Sequence, residues 1–261
     1  MGMAIGASKY SKSTYSDIIN RPAQRMASGK RISSAADDSS MLAIADKIRS
    51  LINGLDKGSD NSCDMKNLLK TADGGLATIT DSLQRIRQLG LQAQNGIYSP
   101  LDKSILQDEV DLLIEHIDYA ASTTRFNNKN LLDGSAGSLH TASDAHGKGI
   151  DISIGSVSSA SLGLSGLDIT GYFDLSQIDH ALEKVSSARS LIGASINRLD
   201  YTADYTQRAS VQQSEALSRI LDTNYAKESS RFKTNRIIEQ YRNFTMKNHM
   251  YSMGNFVNML L

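Results

Sequence analysis

Tryptophan is absent from this 261-residue chain, proline occurs twice, cysteine once and phenylalanine five times. One cysteine closes no internal disulfide, which excludes a stapled scaffold. No stretch approaches the roughly 18 apolar residues that span a bilayer. Neither sign of charge dominates: 28 basic residues stand against 28 acidic ones. That removes the simplest argument for a nucleic-acid partner, a strongly basic domain or stripe. The opening residues, MGMAIGASKYSKS, hold no apolar run followed by a small-residue cleavage site, so no Sec-type signal is read there. Aromatics, at 6%, are thin for one large core. Scarce proline points instead to long uninterrupted helices, because proline breaks helix interiors.

Apolar spacing carries this further. Steps of three and four run unbroken from Met41 through Ile44, Ile48, Leu51, Leu55, Gly58, Ser62, Met65, Leu69, Ala72, Leu76, Ile79, Leu83, Ile86 and Gly90 to Ala93. A 3.5-residue period keeps one stripe against a partner helix, the mark of a coiled-coil seam. Such a segment reaches on the order of 80 Å at 1.5 Å per residue. A shorter run follows: Leu106, Val110, Leu113, Ile117, Ala120. A third goes from Leu175 and Ile178 through Leu182, Val185, Arg189, Ile192, Ile196, Leu199 and Ala203 to Leu217 and Ile220. Its layers turn polar between Thr206 and Gln213, where a looser bundle is expected. Asn95-Gly96 to Pro100 separates the first two helices, with Asp102 the expected N-cap of the second. So short a link implies antiparallel packing.

The fold class is therefore mainly α: a long antiparallel coiled-coil-like helical bundle. A small hairpin or loop region lies in its middle. Residues 134–171 are rich in Gly and Ser, and the alternation Ile150, Ile152, Ile154 reads as a strand. Little core is expected there. Residues 1–31 hold six basic and one acidic residue, and residues 225–261 six and two. The middle holds 16 basic against 25 acidic, so two basic ends flank an acidic centre. The expected divisions are 1–31, a basic segment; 32–133, the N-terminal helical core; 134–171, the hairpin region; 172–224, the C-terminal core helix; and 225–261, a basic amphipathic segment.

Enzyme chemistry finds no constellation. His116, His140, His146, His180 and His249 are scattered, without a nearby cysteine or a His-Glu-x-x-His helix, so no metal site and no cofactor is expected. Gly74-Gly75 lacks the Lys-Ser/Thr that would make it a phosphate loop. Asp37 and Asp38 stand where carboxylates cap the free N–H groups of a helix, a better use than a catalytic pair. Cys63 reads as a small hydrophobe flanking Met65 in the seam, with an intermolecular disulfide as the alternative. No catalytic residue is assigned.

Three stretches then resemble bacterial flagellins: SGKRISSAADDSSMLAIADKI (28–48); DSLQRIRQLGLQAQNG (81–96) with STTRFNNKNLLDG (122–134); and IDHALEKVSSARSLIGASINRL (178–199) with SRILDTNYAKES (218–229). The similarity covers roughly residues 25–230, in a short form without the outer variable domains, and implies that the bundle is formed by the N- and C-terminal halves together. It implies a structural subunit of the filament that self-assembles through its helical core and terminal segments and supports motility. It also implies type III export as an unfolded chain to the extracellular flagellum. A cytoplasmic export chaperone and the hook-associated and cap proteins are the implied partners, with no nucleic acid and no enzyme activity. By the same likeness Gly74-Gly75 stands where small residues let helices approach closely.

The resemblance places assembly and chaperone contacts on Phe232, Ile238, Tyr241, Phe256, Val257, Leu260 and Leu261. Recognition by a vertebrate Toll-like receptor, carried over by the likeness, falls on Gln84, Arg85, Leu89, Gln92 and Glu109. The spacing of residues 85, 89 and 92 puts them on one helix face. Departures from the family are Cys63 and Met65 in the seam, Gln88 and Gly90 near the receptor face, and basic residues in the last helix. Pro22 is expected to interrupt any helix through Ile18 and Ile19. The alternative is a minor or repurposed paralogue: a hook-filament junction protein, or a secreted rod that binds membrane surfaces through its basic end.

Overall fold

A computed structural model describes residues 20–258, with side chains through Ser252. Helix α1 is described over 20–28; α2 is Ser39–Ala93 and α3 Pro100–Thr123. Two small hairpins follow, β1 (Arg125–Phe126) with β2 (Lys129–Asn130), and β3 (Ser138–Ala142) with β4 (Gly149–Ser153). A single turn, α4 (Ser159–Leu162), leads to α5 (Ser176–Leu221) and α6 (Tyr225–Asn258). The chain divides into two units, one of residues up to Ser50 and from Gln212 onward, the other of Leu51–Val211.

In the central unit the seam behaves as its spacing dictates. Leu69, Leu76, Ile79, Leu83 and Ile86 on α2 are fully buried, in one cluster with Val110 and Ile117 on α3 and Ile178, Val185 and Ile192 on α5. Ion pairs at the edges fix direction. Lys66 meets Asp200 at 2.7 Å, Asp73 meets Arg189 at 2.9 Å and Arg87 meets Asp179 at 2.7 Å. Partners that climb along α2 descend along α5, so these helices are antiparallel. Contacts of Ser82 with His116 and Arg85 with Glu109 make α2 and α3 antiparallel by the same logic.

The polar layers of the third run are closed rather than loose. Thr206 is buried and its hydroxyl donates to the carbonyls of Thr202 and Ala203, while Ser210 donates to Asp56 at 2.6 Å. Each buried hydroxyl thus has an acceptor, which removes the penalty that polarity would otherwise carry.

The start of α3 differs from expectation. Ser99 is the N-cap, and its hydroxyl accepts from Asp102 N–H; the Asp102 carboxylate accepts from Ser99 N–H at 3.0 Å. This is a reciprocal capping box with Pro100 just inside the helix, so Asp102 holds the third helical position and not the cap. The β1–β2 turn was not read from the sequence. Asn127 and Asn128 both have positive φ, which a two-residue hairpin loop of type I′ requires and asparagine tolerates.

The middle segment also holds more core than its composition suggests. Leu139, Ile150 and Ile152 point inward from the β3–β4 hairpin, and Ile154, Val157, Leu162, Leu164, Leu167 and Ile169 continue the same cluster. The hairpin seats against α2 because Gly58 leaves room for it: a Cβ there would lie 2.5 Å from the Ser143 carbonyl oxygen. Asn61 donates to the Ala142 carbonyl beside it at 2.8 Å. At Gly75 the close neighbours are Thr124 and Leu132, so that glycine admits the turn after α3 rather than another helix.

The other unit has its own small core of Ile32, Ala45 and Leu221, flanked by Leu42, Leu217 and Ile220. Here α2 turns Leu42 and Ala45 inward, leaving Met41 and Ile44 exposed, because its apolar partners are Ile32 and Leu221. The strict seam thus holds from Leu55 and slips before Ser50. Lys30 and Asp222 form an antiparallel bridge, and Arg31 donates its guanidinium to the Ile220 carbonyl. Pro22 is buried within helical residues, while Ile18 and Ile19 lie outside the described ones.

Candidate functional site

The paired aspartates divide their work. Asp38 accepts from Met41 N–H at 2.9 Å, which makes it the N-cap of α2. Asp37 touches no N–H of α2. Its Oδ2 instead collects the N–H and hydroxyl of Ser33 and those of Ser34, at 3.1–3.2 Å. Those donors, Ser33 N–H foremost, hold the Asp37 carboxyl below its ordinary value. One carboxylate starts the helix and the other ties the turn before it.

Of the five residues that the likeness marks for receptor contact, four lie at the surface. Gln84, Arg85 and Gln92 project from α2, and Glu109 faces Arg85 from α3. Arg85 reaches Glu109 Oε1 through Nε at 2.7 Å and Nη2 at 2.6 Å. Gln92 donates to the Tyr98 hydroxyl at 2.8 Å. Leu89 is different: only 1% exposed, it belongs to the core. Residues 85, 89 and 92 share one side of α2 as their spacing predicts, but Leu89 is covered and is not open to a partner. Gly90 is also buried, with the Phe173 ring against it.

On α6, Phe232 is half-buried and carries the Arg236 guanidinium 5.9 Å from its ring centroid. Ile238 and Tyr241 are exposed. Phe256 and Val257 lie on α6 beyond the described side chains, and Leu260 and Leu261 lie outside the described residues. The expectation of a two-faced α6 missed how widely its apolar residues spread: Ile237, Phe244, Met246, Met250 and Tyr251 are exposed as well. At its start, buried Glu228 lies 3.0 Å from Arg231 and 3.7 Å from Arg25 of α1. Sequence reasoning did not single out Glu228. The available signal was an acid, one of two, in an otherwise basic segment.

Cys63 is exposed, and Met65 packs part-buried against the core. On the outer side of the β3–β4 hairpin, His140 pairs with Asp151 at 2.7 Å. That hydrogen bond, and a second to the Gly147 carbonyl, raise the His140 pKa above its ordinary value. Among the described residues no group of three or more His, Cys, Asp or Glu is placed to hold a metal ion. No described helix is long and apolar enough to cross a membrane. The arrangement offers surfaces for contact, built on a helical core.

Comparison with known proteins agrees with that description. Residues 3–137 match the bacterial flagellin N-terminal helical region, and residues 175–249 match the bacterial flagellin C-terminal helical region. The flagellin of Halalkalibacterium halodurans is 36% identical over 224 residues, covering 83% of this chain and 82% of its own. That of Bacillus subtilis is 34% identical over 257 residues, covering 83% and 84%. The crystal structure of Bacillus cereus flagellin aligns with a TM-score of 0.52 at 27% identity, covering 56% of this chain and 88% of its own.

Proposed function

The chain belongs to the bacterial flagellins, structural proteins of the extracellular flagellar filament, and on that premise we propose that it joins neighbouring copies through its helical core and terminal segments. The observation that carries this reading is α6, on which Ile237, Ile238, Tyr241, Phe244 and Met250 stand exposed in the single chain. Large apolar side chains gathered on one element mark an interaction surface. Burying such side chains against a neighbour is favourable but each contributes only part of its full transfer energy, and ordering costs oppose it, so assembly draws on many contacts and on no single site. Phe232, Phe256, Val257, Leu260 and Leu261 extend the same set along the sequence.

The same residues give an export chaperone its target, since a helix with this surface associates prematurely unless covered. Export through the flagellar type III channel, and end contacts with hook-associated and cap proteins, belong to the same proposal. Deleting residues 231–261 tests the assembly role: polymerisation and chaperone binding are lost while circular dichroism retains the helicity of the core. Normal polymerisation by the truncated chain would refute it.

A second reading is favoured by the exposed Arg85–Glu109 pair. This surface, with Gln84 and Gln92, is the element that a Toll-like receptor recognises. A receptor reporter assay on Arg85→Ala and Glu109→Ala chains tests it, and unchanged activation by both would remove the assignment.

A further inference from the structure

Two helices of the central unit carry a second row on the side away from the core. On α3, Leu101, Ile105, Asp108, Leu112, Glu115 and Tyr119 follow steps of four and three. The four apolar members are 61–72% exposed. On α5, Leu191, Ala194, Arg198, Tyr201, Tyr205 and Arg208 follow steps of three and four. Leu191, Tyr201 and Tyr205 are 66–78% exposed. The buried rows of the same helices, with Val110 and Ile117 on α3 and Val185 and Ile192 on α5, face the opposite way. A seam-like row that meets only solvent has no role in folding one chain, and it fits the packing of a further helix.

The two rows are complementary. Along α3 the charges are acidic, Asp108 and Glu115; along α5 they are basic, Arg198 and Arg208. None of the four makes an ion pair among the described residues. Each row extends roughly 26 Å at 1.5 Å per residue, so their lengths agree. We propose that the α3 row of one copy docks on the α5 row of a second copy. Pairing α3 with α3, or α5 with α5, brings like charges together and is disfavoured. The contact is therefore heterologous. Because every chain offers both surfaces, it repeats and builds an open array. This rests on the filament reading and adds the helix faces and charges that select the neighbour.

Charge reversal in the full-length chain tests the proposal. Asp108→Arg with Glu115→Arg, Arg198→Glu with Arg208→Glu, and all four together are compared with the unchanged chain. Circular dichroism melts monitor folding, which these exposed positions should spare. Each protein is nucleated in sulfate salt, and growth from its own nuclei is followed by sedimentation in ~0.1 M salt, where screening leaves close charges effective. Either double reversal is expected to raise the critical concentration about tenfold or more, and the fourfold reversal to restore it to within about threefold of the unchanged chain. Double reversals that grow like the unchanged chain overturn the pairing. So does a folded fourfold variant that grows no better than the double ones. An unchanged chain that grows no filaments overturns the filament reading itself, and this pairing with it.

Discussion

Arg85 on α2 delivers both Nε and Nη2 to a single oxygen of Glu109 on α3, at 2.7 and 2.6 Å. The guanidinium fork that the sequence offers to a partner is thus partly engaged within the chain. On the receptor reading proposed above, a partner would meet an ion pair that is already oriented. Preorganisation of this kind lowers the ordering cost of binding.

Both members are more than two-fifths exposed, so the pair contributes little to folding. Glu109→Gln is expected to change unfolding free energy by about 0.2–1 kcal/mol while lowering receptor activation more than that change explains. Denaturant melts and a receptor reporter read the two effects. A large loss of stability with unchanged activation contradicts the account.

Leu83 is fully buried in the α2 seam. Leu83→Ala should cost about 2–5 kcal/mol by leaving a cavity. Leu83→Asp should unfold the central unit, because it buries an unpaired charge. Leu91, 47% exposed on the same helix, serves as control, and its change to Ala should cost little. Thermal melts followed by circular dichroism distinguish them.

Two helical glycines should respond to alanine with opposite signs. Gly74 has open space where a Cβ would lie, so Gly74→Ala gains helix propensity and stabilises by up to ~1 kcal/mol. At Gly58 the added Cβ meets the Ser143 backbone, and the β3–β4 hairpin must shift. Gly58→Ala is expected to lower stability and to speed amide exchange in residues 142–148. Equal effects at both positions would contradict the seating of the hairpin on α2.

The hairpin should also respond to pH. The native His140 pKa is raised by Asp151, so the pair's contribution is complete below the ordinary histidine value. It is lost as pH rises through the raised native one. Asp37 has the opposite sign: its native pKa is lowered, so its contribution is present above the ordinary carboxylate value and lost as pH falls through the native one. NMR titration reads both. Asp151→Asn should bring the His140 midpoint down, and an unmoved midpoint would show that Asp151 is not the cause.

Most of the fold was legible because one stripe repeats without a break from Leu55 to Ala93, and burial follows it at every position but part-buried Met65. Before Ser50 the same period misled, because the partners there are Ile32 and Leu221, and a different side of α2 turns inward. The middle segment was underestimated since its glycine and serine hide nine apolar residues placed singly at turns and strand positions. Leu89 shows a limit of face arithmetic. Steps of three and four fit both a surface row and the core, and only the packing of α2 decides between them. The outer rows of α3 and α5 were equally present in the spacing, but their exposure had to be seen before the charges on them acquired a purpose.

Filament growth through apolar helix surfaces that the single molecule leaves uncovered is open to direct test. Negative-stain electron microscopy of the purified full-length protein, concentrated in sulfate salt with flagellin seeds, tests it most directly. Long filaments of uniform diameter are the predicted result. Persistent monomers with intact helical content, under conditions that polymerise a control flagellin, would contradict it.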